Sequence, residues 1–136
     1  SNCEGHRSEG LLGYTVAYVA WNRVNVNGDH KAIVGPAGSG WETSLGSLVT
    51  TSSSNRRALY SCSIGSDEFT STDANCEGQH VNRRLGYAYT SPPSGLSTRP
   101  VYRCMVNGSG EHFDSLVSNC EGHRSEGLLG YTVAYN

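Results

Sequence analysis

An exact internal duplication constrains this chain more than any other feature of its sequence. Residues 1–18, which read SNCEGHRSEGLLGYTVAY, occur again letter for letter at 118–135. The sequence therefore returns on itself after 117 positions. We expect those positions to contain one complete structural cycle.

A weaker repeat lies inside this cycle and carries the signature Leu-Gly-Tyr. The signature occurs at Leu12–Tyr14, Leu85–Tyr87 and Leu129–Tyr131, with a degenerate copy at Leu45–Ser47. A period of about 40 residues is typical of stacked or ring-like architectures, in which one unit cannot bury its own apolar face. The sequence thus predicts a single domain over 1–136.

The predicted domain contains three repeats and one surplus segment. The repeats are predicted at approximately 22–55, 56–98 and 99–136, which leaves 1–21 as a surplus half-repeat that duplicates 118–135. The alternative is that 1–117 complete the cycle and the C-terminal copy is surplus. The displaced copy would present an unpaired strand edge, so we expect it to favour homo-oligomers.

Composition and patterning predict an all-β fold. The chain has 17 glycines, and short apolar/polar alternations are separated by turn sequences such as Asn27-Gly28-Asp29. No long segment shows the helical period of 3.6 residues. Three repeats with three or four short strands each suit a closed pseudo-threefold domain. A β-trefoil is the first choice, and a three-bladed propeller-like ring or a β-prism is the alternative.

Several functional classes are disfavoured by the sequence. The net charge is -2 and the arginines are scattered among acids, so nucleic acid is not an expected partner. No apolar stretch approaches membrane-spanning length, so membrane insertion is not expected. The chain lacks the nucleophile-elbow and zinc-protease motifs, and a repeated arrangement suits multivalent binding better than one active site. We therefore expect a protein that is not an enzyme and needs neither a metal nor an organic cofactor.

Five cysteines in a small chain suggest an oxidising compartment, so the protein is predicted to be secreted. Cys62 and Cys76 occupy the same repeat positions as Cys104 and Cys120. The simplest framework is one disulfide bond within each of these repeats. Cys3 is the echo of Cys120, and it either competes for Cys104, stays free, or pairs between chains.

The repeats also align polar side chains that suit a sugar ligand. A carboxylate accepts hydrogen bonds from vicinal hydroxyls, and an imidazole donates or accepts. The candidates are the acid-His pairs and the carboxylates that precede the signature, namely Asp29, His30, Glu111, His112, Glu42 and Glu126. The competing interpretation is structural, with the acid-His pairs tying a hairpin to the next strand within each repeat and the carboxylates capping backbone groups.

Two aromatic residues complete the candidate set. Trp41 follows a glycine-rich loop, so it is predicted to be an exposed platform for a sugar ring. Tyr131 lies on the last strand of its repeat, where sugar stacking competes with core packing. Trp21 aligns with Tyr60 and Tyr102 in the repeat pattern and is expected to be a core residue.

The motif series Tyr-x-Cys, Asp/Glu-His-Phe, Asn-Cys-Glu-Gly and Glu-Gly-x-Leu-Gly-Tyr resembles a repeat module of secreted bacterial and fungal proteins. That module is often appended to extracellular hydrolases and is regarded as lectin-like. The resemblance implies a carbohydrate-binding module with up to three weak sites for sugars or glycoprotein glycans. Glu68 replaces the usual His, Lys31 replaces Phe, and Asn82 stands where Glu is expected. The three sites are therefore expected to be unequal, with the 59–87 repeat weakest; the alternative is a structural or protein-interaction module without sugar binding.

Overall fold

The computed structural model describes residues 6–9 and 14–134, with side chains from residue 16 onward. These residues form ten strands, every strand pairing is antiparallel, and the described part of the chain contains no α-helix. The predicted all-β class is confirmed. Cys3 lies outside the described residues, so its pairing stays a prediction.

The strands after the first fall into three units of three. Unit 1 contains β2 (Tyr14–Val26), β3 (Asp29–Val34) and β4 (Trp41–Val49); β1 (His6–Glu9) precedes it and pairs with β2. Unit 2 contains β5 (Arg56–Ile64), β6 (Asp67–Ser71) and β7 (His80–Tyr89), with a short 3-10 turn at Cys76–Gly78. Unit 3 contains β8 (Thr98–Met105), β9 (His112–Ser115) and β10 (Arg124–Val133), with the matching turn at Cys120–Gly122.

The three units share one pairing pattern. The first strand of each unit lies between the other two and pairs with both. The third strands β4, β7 and β10 also pair with one another, each through a single residue pair: Val49 with Tyr87, Tyr131 with Tyr89, and Val133 with Ser47. The third strands therefore hold the units together.

The signature glycine lets these third strands approach closely. Each glycine lies against the third strand of a neighbouring unit: Gly86 against Leu48, Gly130 against Ala88, and Gly46 against Thr132. A Cβ at Gly130 would lie 2.7 Å from the Cβ of Ala88, a distance that real Cβ atoms essentially never show. The recurrence of Leu-Gly in the sequence thus reflects a steric requirement at the contact between units.

The apolar core is contributed by all three units. The residues just before the signature glycines and their neighbours on the first strands are almost fully buried, and the main cluster comprises Trp21, Leu45, Leu48, Leu59, Leu85, Ala88, Val101 and Leu129. A second cluster, called here the base cluster, contains Val16, Val49, Tyr89 and Val133, with Tyr18, Tyr87, Leu96 and Tyr131 packed against it. Val16 comes from the first copy of the duplication and Val133 is its echo in the second.

Trp21 is fully buried, as expected, but the predicted alignment was shifted by one residue. The strand pairing places Trp21 at the position of Leu59 and Val101, because Ala20, Ala58 and Pro100 face equivalent residues of the third strands. Arg23 is therefore the counterpart of Arg103, an equivalence that the sequence alignment missed.

Both predicted disulfide bonds are present. Cys62 is bonded to Cys76 and Cys104 to Cys120, with Cα–Cα distances of 5.7 and 5.6 Å. Each bond ties the first strand of its unit to the Cys-Glu-Gly turn, and all four cysteines are fully buried. These turns position Glu77 and Glu121, which reach into the contacts between units.

Candidate functional site

The predicted site residues lie mainly at the contacts between units. In the junction between units 3 and 1, both the backbone N–H and Nδ1 of His30 contact the carboxylate of Glu111, which belongs to the other unit. Nε2 of the same imidazole lies 3.3 Å from Oε1 of Glu42. The imidazole of His30 therefore joins a carboxylate of the neighbouring unit to one of its own unit.

The junction between units 2 and 3 repeats this geometry. The backbone N–H of His112 donates to Oδ1 of Asp67 at 3.1 Å, and its Nδ1 lies 2.6 Å from Oδ2. Nε2 of His112 lies 3.0 Å from Oε1 of Glu126. Because each imidazole has a carboxylate at both nitrogens, donating to both requires the doubly protonated ring.

An arginine lies at the centre of each of these two junctions. Arg23 donates from Nε to Glu42 at 2.9 Å and from Nη1 to Glu121 at 2.8 Å. Arg103 donates from Nε to Glu126 at 2.9 Å and from Nη1 to Glu77 at 2.7 Å. Each guanidinium thus joins a carboxylate of its own unit to one on the Cys-Glu-Gly turn of its neighbour.

The electrostatics of the turn carboxylates follow from this arrangement. The hydrogen bond from Arg103 and then that from the Ser71 hydroxyl lower the pKa of Glu77. The hydrogen bond from Arg23 lowers the pKa of Glu121 despite its partial burial, and the Ser115 hydroxyl adds to the effect. Both carboxylates are therefore held as anions. Their side chains remain 45% and 41% exposed, respectively.

The guanidinium groups respond in the opposite direction. Burial disfavours the cation of Arg23, but the hydrogen bonds and charges of Glu121 and Glu42 together outweigh it and raise the pKa. The pKa of Arg103 is raised in the same way through Glu77. Arg23 also lies over the ring of Phe113, and Arg103 over that of Phe69, at 5.5 and 5.3 Å from the ring centres. Each of these arginines is therefore held both by hydrogen bonds to two carboxylates and by contact with a phenylalanine ring.

The third junction, between units 1 and 2, has a different composition. Glu68 takes the position that His30 and His112 occupy elsewhere, so two carboxylates face each other across the contact. Nζ of Lys31 lies between them, 3.0 Å from Oε2 of Glu68 and 3.4 Å from Oδ2 of Asp29. The hydrogen bond to Glu68 is the main cause of the raised pKa of Lys31.

The remaining positions of the third junction carry neutral groups. Asn82 stands at the position of Glu42 and Glu126, and its Nδ2 donates to the hydroxyls of Ser61 and Ser63 at 3.1 and 2.8 Å. Ser61 occupies the position of the two arginines. The third junction therefore differs from the other two in its charged groups, and the predicted inequality of sugar sites stays a prediction.

Trp41 is set apart from these junction networks by its exposure. Its side chain is 56% exposed, the largest value among the exposed apolar residues of the described part of the chain. Nε1 donates to Oδ1 of Asn22 at 3.0 Å, and Nδ2 of Asn22 donates to the carbonyl of Gly35. The indole edge is therefore oriented by the glycine-rich loop while much of the ring faces solvent. Glu42 follows directly in β4 and accepts from Asn25 at 3.4 Å.

Tyr131 does not share this environment. It is partly buried and packs against the base cluster, and its backbone pairs with Tyr89. A separate open depression of about 540 Å³ lies at the hairpin turns, where Asp29, Asp67 and Glu111 contribute to its lining. These three carboxylates also contact Lys31 and the two histidines.

Sequence reasoning did not single out the arginines and turn glutamates that complete the junctions. The repeated Cys-Glu-Gly motif was a usable signal for Glu77 and Glu121. Arg23 gave a weaker one, because unit 1 has no cysteine to anchor its alignment with Arg103. In the described part of the chain, no group of three or more His, Cys, Asp or Glu side chains is arranged to hold a metal ion.

Comparison of the chain with known protein families, curated proteins and solved structures finds no significant match. Among the described residues, no helix has the length and apolar character needed to cross a bilayer.

Proposed function

We propose that this chain is a secreted, lectin-like carbohydrate-binding module with up to three weak and unequal sugar sites. The observation that carries the proposal is Trp41, whose indole is oriented by Asn22 and Gly35 yet remains more than half exposed. An exposed aromatic ring with a hydrogen-bonding amide at its edge matches the amphipathic faces of a sugar. Asn22 supplies that amide, since its Oδ1 accepts from the indole Nε1.

The proposal includes a closed pseudo-threefold architecture. Two features support it: each unit has the same three-strand pairing, and each third strand contacts both others through the signature glycines. Unit 2 has Val81 at the strand position of Trp41, and unit 3 has Ser125, because these residues pair with equivalent positions of the first strands. Only the site of unit 1 therefore combines the aromatic platform with the His and Glu positions.

The two disulfide bonds support a secreted location, because such bonds persist in oxidising compartments. Sugars or glycoprotein glycans are the proposed partners. Several weak sites on one molecule would strengthen attachment to a multivalent glycan surface.

A second candidate function is a structural or protein-interaction module that binds no sugar. One specific observation favours it: the acid-His and Arg-Glu contacts already satisfy one another across the junctions between units. In this case His30, Glu42, His112 and Glu126 stabilise the fold without contacting a ligand.

The test begins with a glycan-array screen and continues with calorimetric titration of the best ligand. Trp41→Ala is expected to weaken binding more than tenfold and to leave the melting temperature nearly unchanged, since the ring is exposed. Val81→Ala is the matched control, because Val81 holds the equivalent position in unit 2 and is 40% exposed. Binding by Trp41→Ala that equals the unaltered protein would refute the platform.

The double variant His30→Ala/Glu42→Ala, in the unit that carries Trp41, separates the two candidate functions. A site role predicts loss of ligand binding per folded molecule, and a structural role predicts a lower melting temperature with binding intact. Absence of any glycan ligand for the folded protein would favour the structural candidate.

A further inference from the structure

The two copies of the duplicated segment adopt different backbone structures in the same molecule. In the first copy, His6–Glu9 pairs antiparallel with residues 14–17, so the segment pairs with itself. In the second copy, the counterparts 124–126 and 131–133 of these residues belong to one continuous strand, Arg124–Val133, which pairs with β8. Because the two copies have the same sequence, the surrounding strands, and not the local sequence, select the continuous strand of the second copy.

Those surroundings are a groove formed by β8 and the third strands β4 and β7, called here the closing groove. It buries Leu129 to 4% exposure, and it accepts a hydrogen bond of 2.7 Å from the Thr132 hydroxyl to the carbonyl of Leu45. Further contacts of the segment are a disulfide bond and two arginine ion pairs, through Cys120, Glu121 and Glu126. The first copy has the same five residue types in the same order, at Cys3, Glu4, Glu9, Leu12 and Thr15.

We propose that the closing groove also accepts residues 1–16 of the same chain in place of 118–133. The chain then has two interchangeable closing strands, and the partner of this groove is its own duplicated segment. This inference does not depend on sugar binding.

The chain path permits the exchange. Ser47 pairs with Ala20 on one side and with Val133 on the other, so these two residues are about 10 Å apart, twice the spacing of neighbouring strands. The four residue steps from Val16 to Ala20 span up to about 13 Å when extended. Val16 can therefore take the position of Val133 while Ala20 keeps its own. Both valines already belong to the base cluster.

The exchange includes a balanced covalent step. The thiolate of Cys3 attacks Sγ of Cys104, a Cys3–Cys104 bond forms, and the Cys104–Cys120 bond breaks. Cys120 leaves as a thiolate and takes up a proton. The number of disulfide bonds is unchanged, so no external oxidant or reductant is consumed.

Exchange within one chain is favoured over exchange between molecules, because the tether raises the local concentration of the segment near its groove. A tethered segment meets its groove at an effective concentration of about millimolar, above ordinary protein concentrations. Exchange between molecules would instead produce dimers whose fraction rises with protein concentration.

The decisive experiment compares three variants of the full chain by thermal melting. Leu12→Ala alone is expected to change little, and Leu129→Ala alone is expected to be rescued because Leu12 of the other copy fills the groove. The double variant cannot be rescued and should melt about 10 °C lower than either single variant. A Leu129→Ala variant as unstable as the double variant would overturn the proposal.

A second measurement follows the disulfide bonds. Cys120→Ser is expected to yield a monomer with a Cys3–Cys104 bond, identified by peptide mapping under non-reducing conditions. Cys3→Ser is the control and should keep the Cys104–Cys120 bond. Free thiols at both Cys3 and Cys104 in the Cys120→Ser variant, or a bond between two chains, would refute exchange within one molecule.

Discussion

Asp114 allows a quantitative prediction about stability, because its carboxyl is buried between units without a direct cation contact. Its side chain is 3% exposed, and Oδ2 accepts a hydrogen bond of 2.5 Å from the Thr70 hydroxyl. The adjoining void is about 10 Å³, room for at most a single water molecule. Burial raises the pKa from 3.8 to about 6, against the lowering effects of the Thr70 hydrogen bond and of Arg103, His112 and Arg23.

The sign and size of the effect follow from proton linkage. The folded state binds the proton more tightly than the unfolded state, so this group contributes stability below pH 3.8 and loses it as pH rises through about 6. A difference of about two pKa units corresponds to about 3 kcal/mol. Asp114→Asn removes the titration, so its stability relative to the unaltered protein should rise by about 3 kcal/mol between pH 3.8 and pH 7.

The assay is urea unfolding at a series of pH values, followed by the fluorescence of the buried Trp21. The difference between the two proteins is the required quantity, because the lowered pKa values of Glu77 and Glu121 make both proteins less stable in acid. Thr70→Val is a matched variant that deletes the hydroxyl and should move the transition to higher pH. A difference between Asp114→Asn and the unaltered protein that does not vary with pH would refute the reasoning.

Two further predictions concern the contacts between units. Gly130→Ala, combined with Gly13→Ala so that neither copy of the duplicated segment keeps the glycine, places a Cβ 2.7 Å from that of Ala88 and should lower the free energy of unfolding by about 1–3 kcal/mol. Ala88→Gly in the same protein should restore part of this loss, because the added Cβ still lies 3.1 Å from the carbonyl oxygen of Tyr89, and calorimetric melting checks this. Lys31→Met leaves Asp29 and Glu68 facing each other and should cost about 1 kcal/mol, with the loss shrinking at high salt because ions screen the repulsion between the two partly exposed carboxylates. Denaturant unfolding at low and high salt measures it, and an equal loss at both would contradict the electrostatic explanation.

The sequence predicted local features of this fold better than contacts between distant residues. The disulfide pairs were predictable because their members are 14 and 16 residues apart and occupy equivalent repeat positions. The strands were predictable from alternation and turn residues. The role of the signature glycines was not predictable from the sequence, because the steric conflict that a Cβ at Gly130 would create involves Ala88 of another unit.

The junctions show why part of the candidate site escaped prediction. His30 and Glu111 are 81 residues apart, and His112 and Asp67 are 45 apart, so no local pattern connects them. The structural interpretation had the acid-His pairs acting within one repeat; each histidine contacts a carboxylate of its own unit, Glu42 or Glu126, and also a carboxylate of the neighbouring unit. Arg23 was missed because the alignment at Trp21 was one residue out of register.

Glu68 and Lys31, two departures of the sequence from its repeat pattern, form one coupled change at the third junction. Glu68 in the histidine position would bring a carboxylate against Asp29, a repulsive pair in a partly buried contact. Lys31 in the phenylalanine position supplies the cation that joins them. The contact between units is thereby preserved, but the contacts of a phenylalanine ring with the arginine and the histidine, present in the other two junctions, are lost. Unit 2 thus keeps its contacts with the neighbouring units while it loses the groups proposed to contact a sugar, which is the form of inequality expected if the fold and the binding sites are under separate constraints.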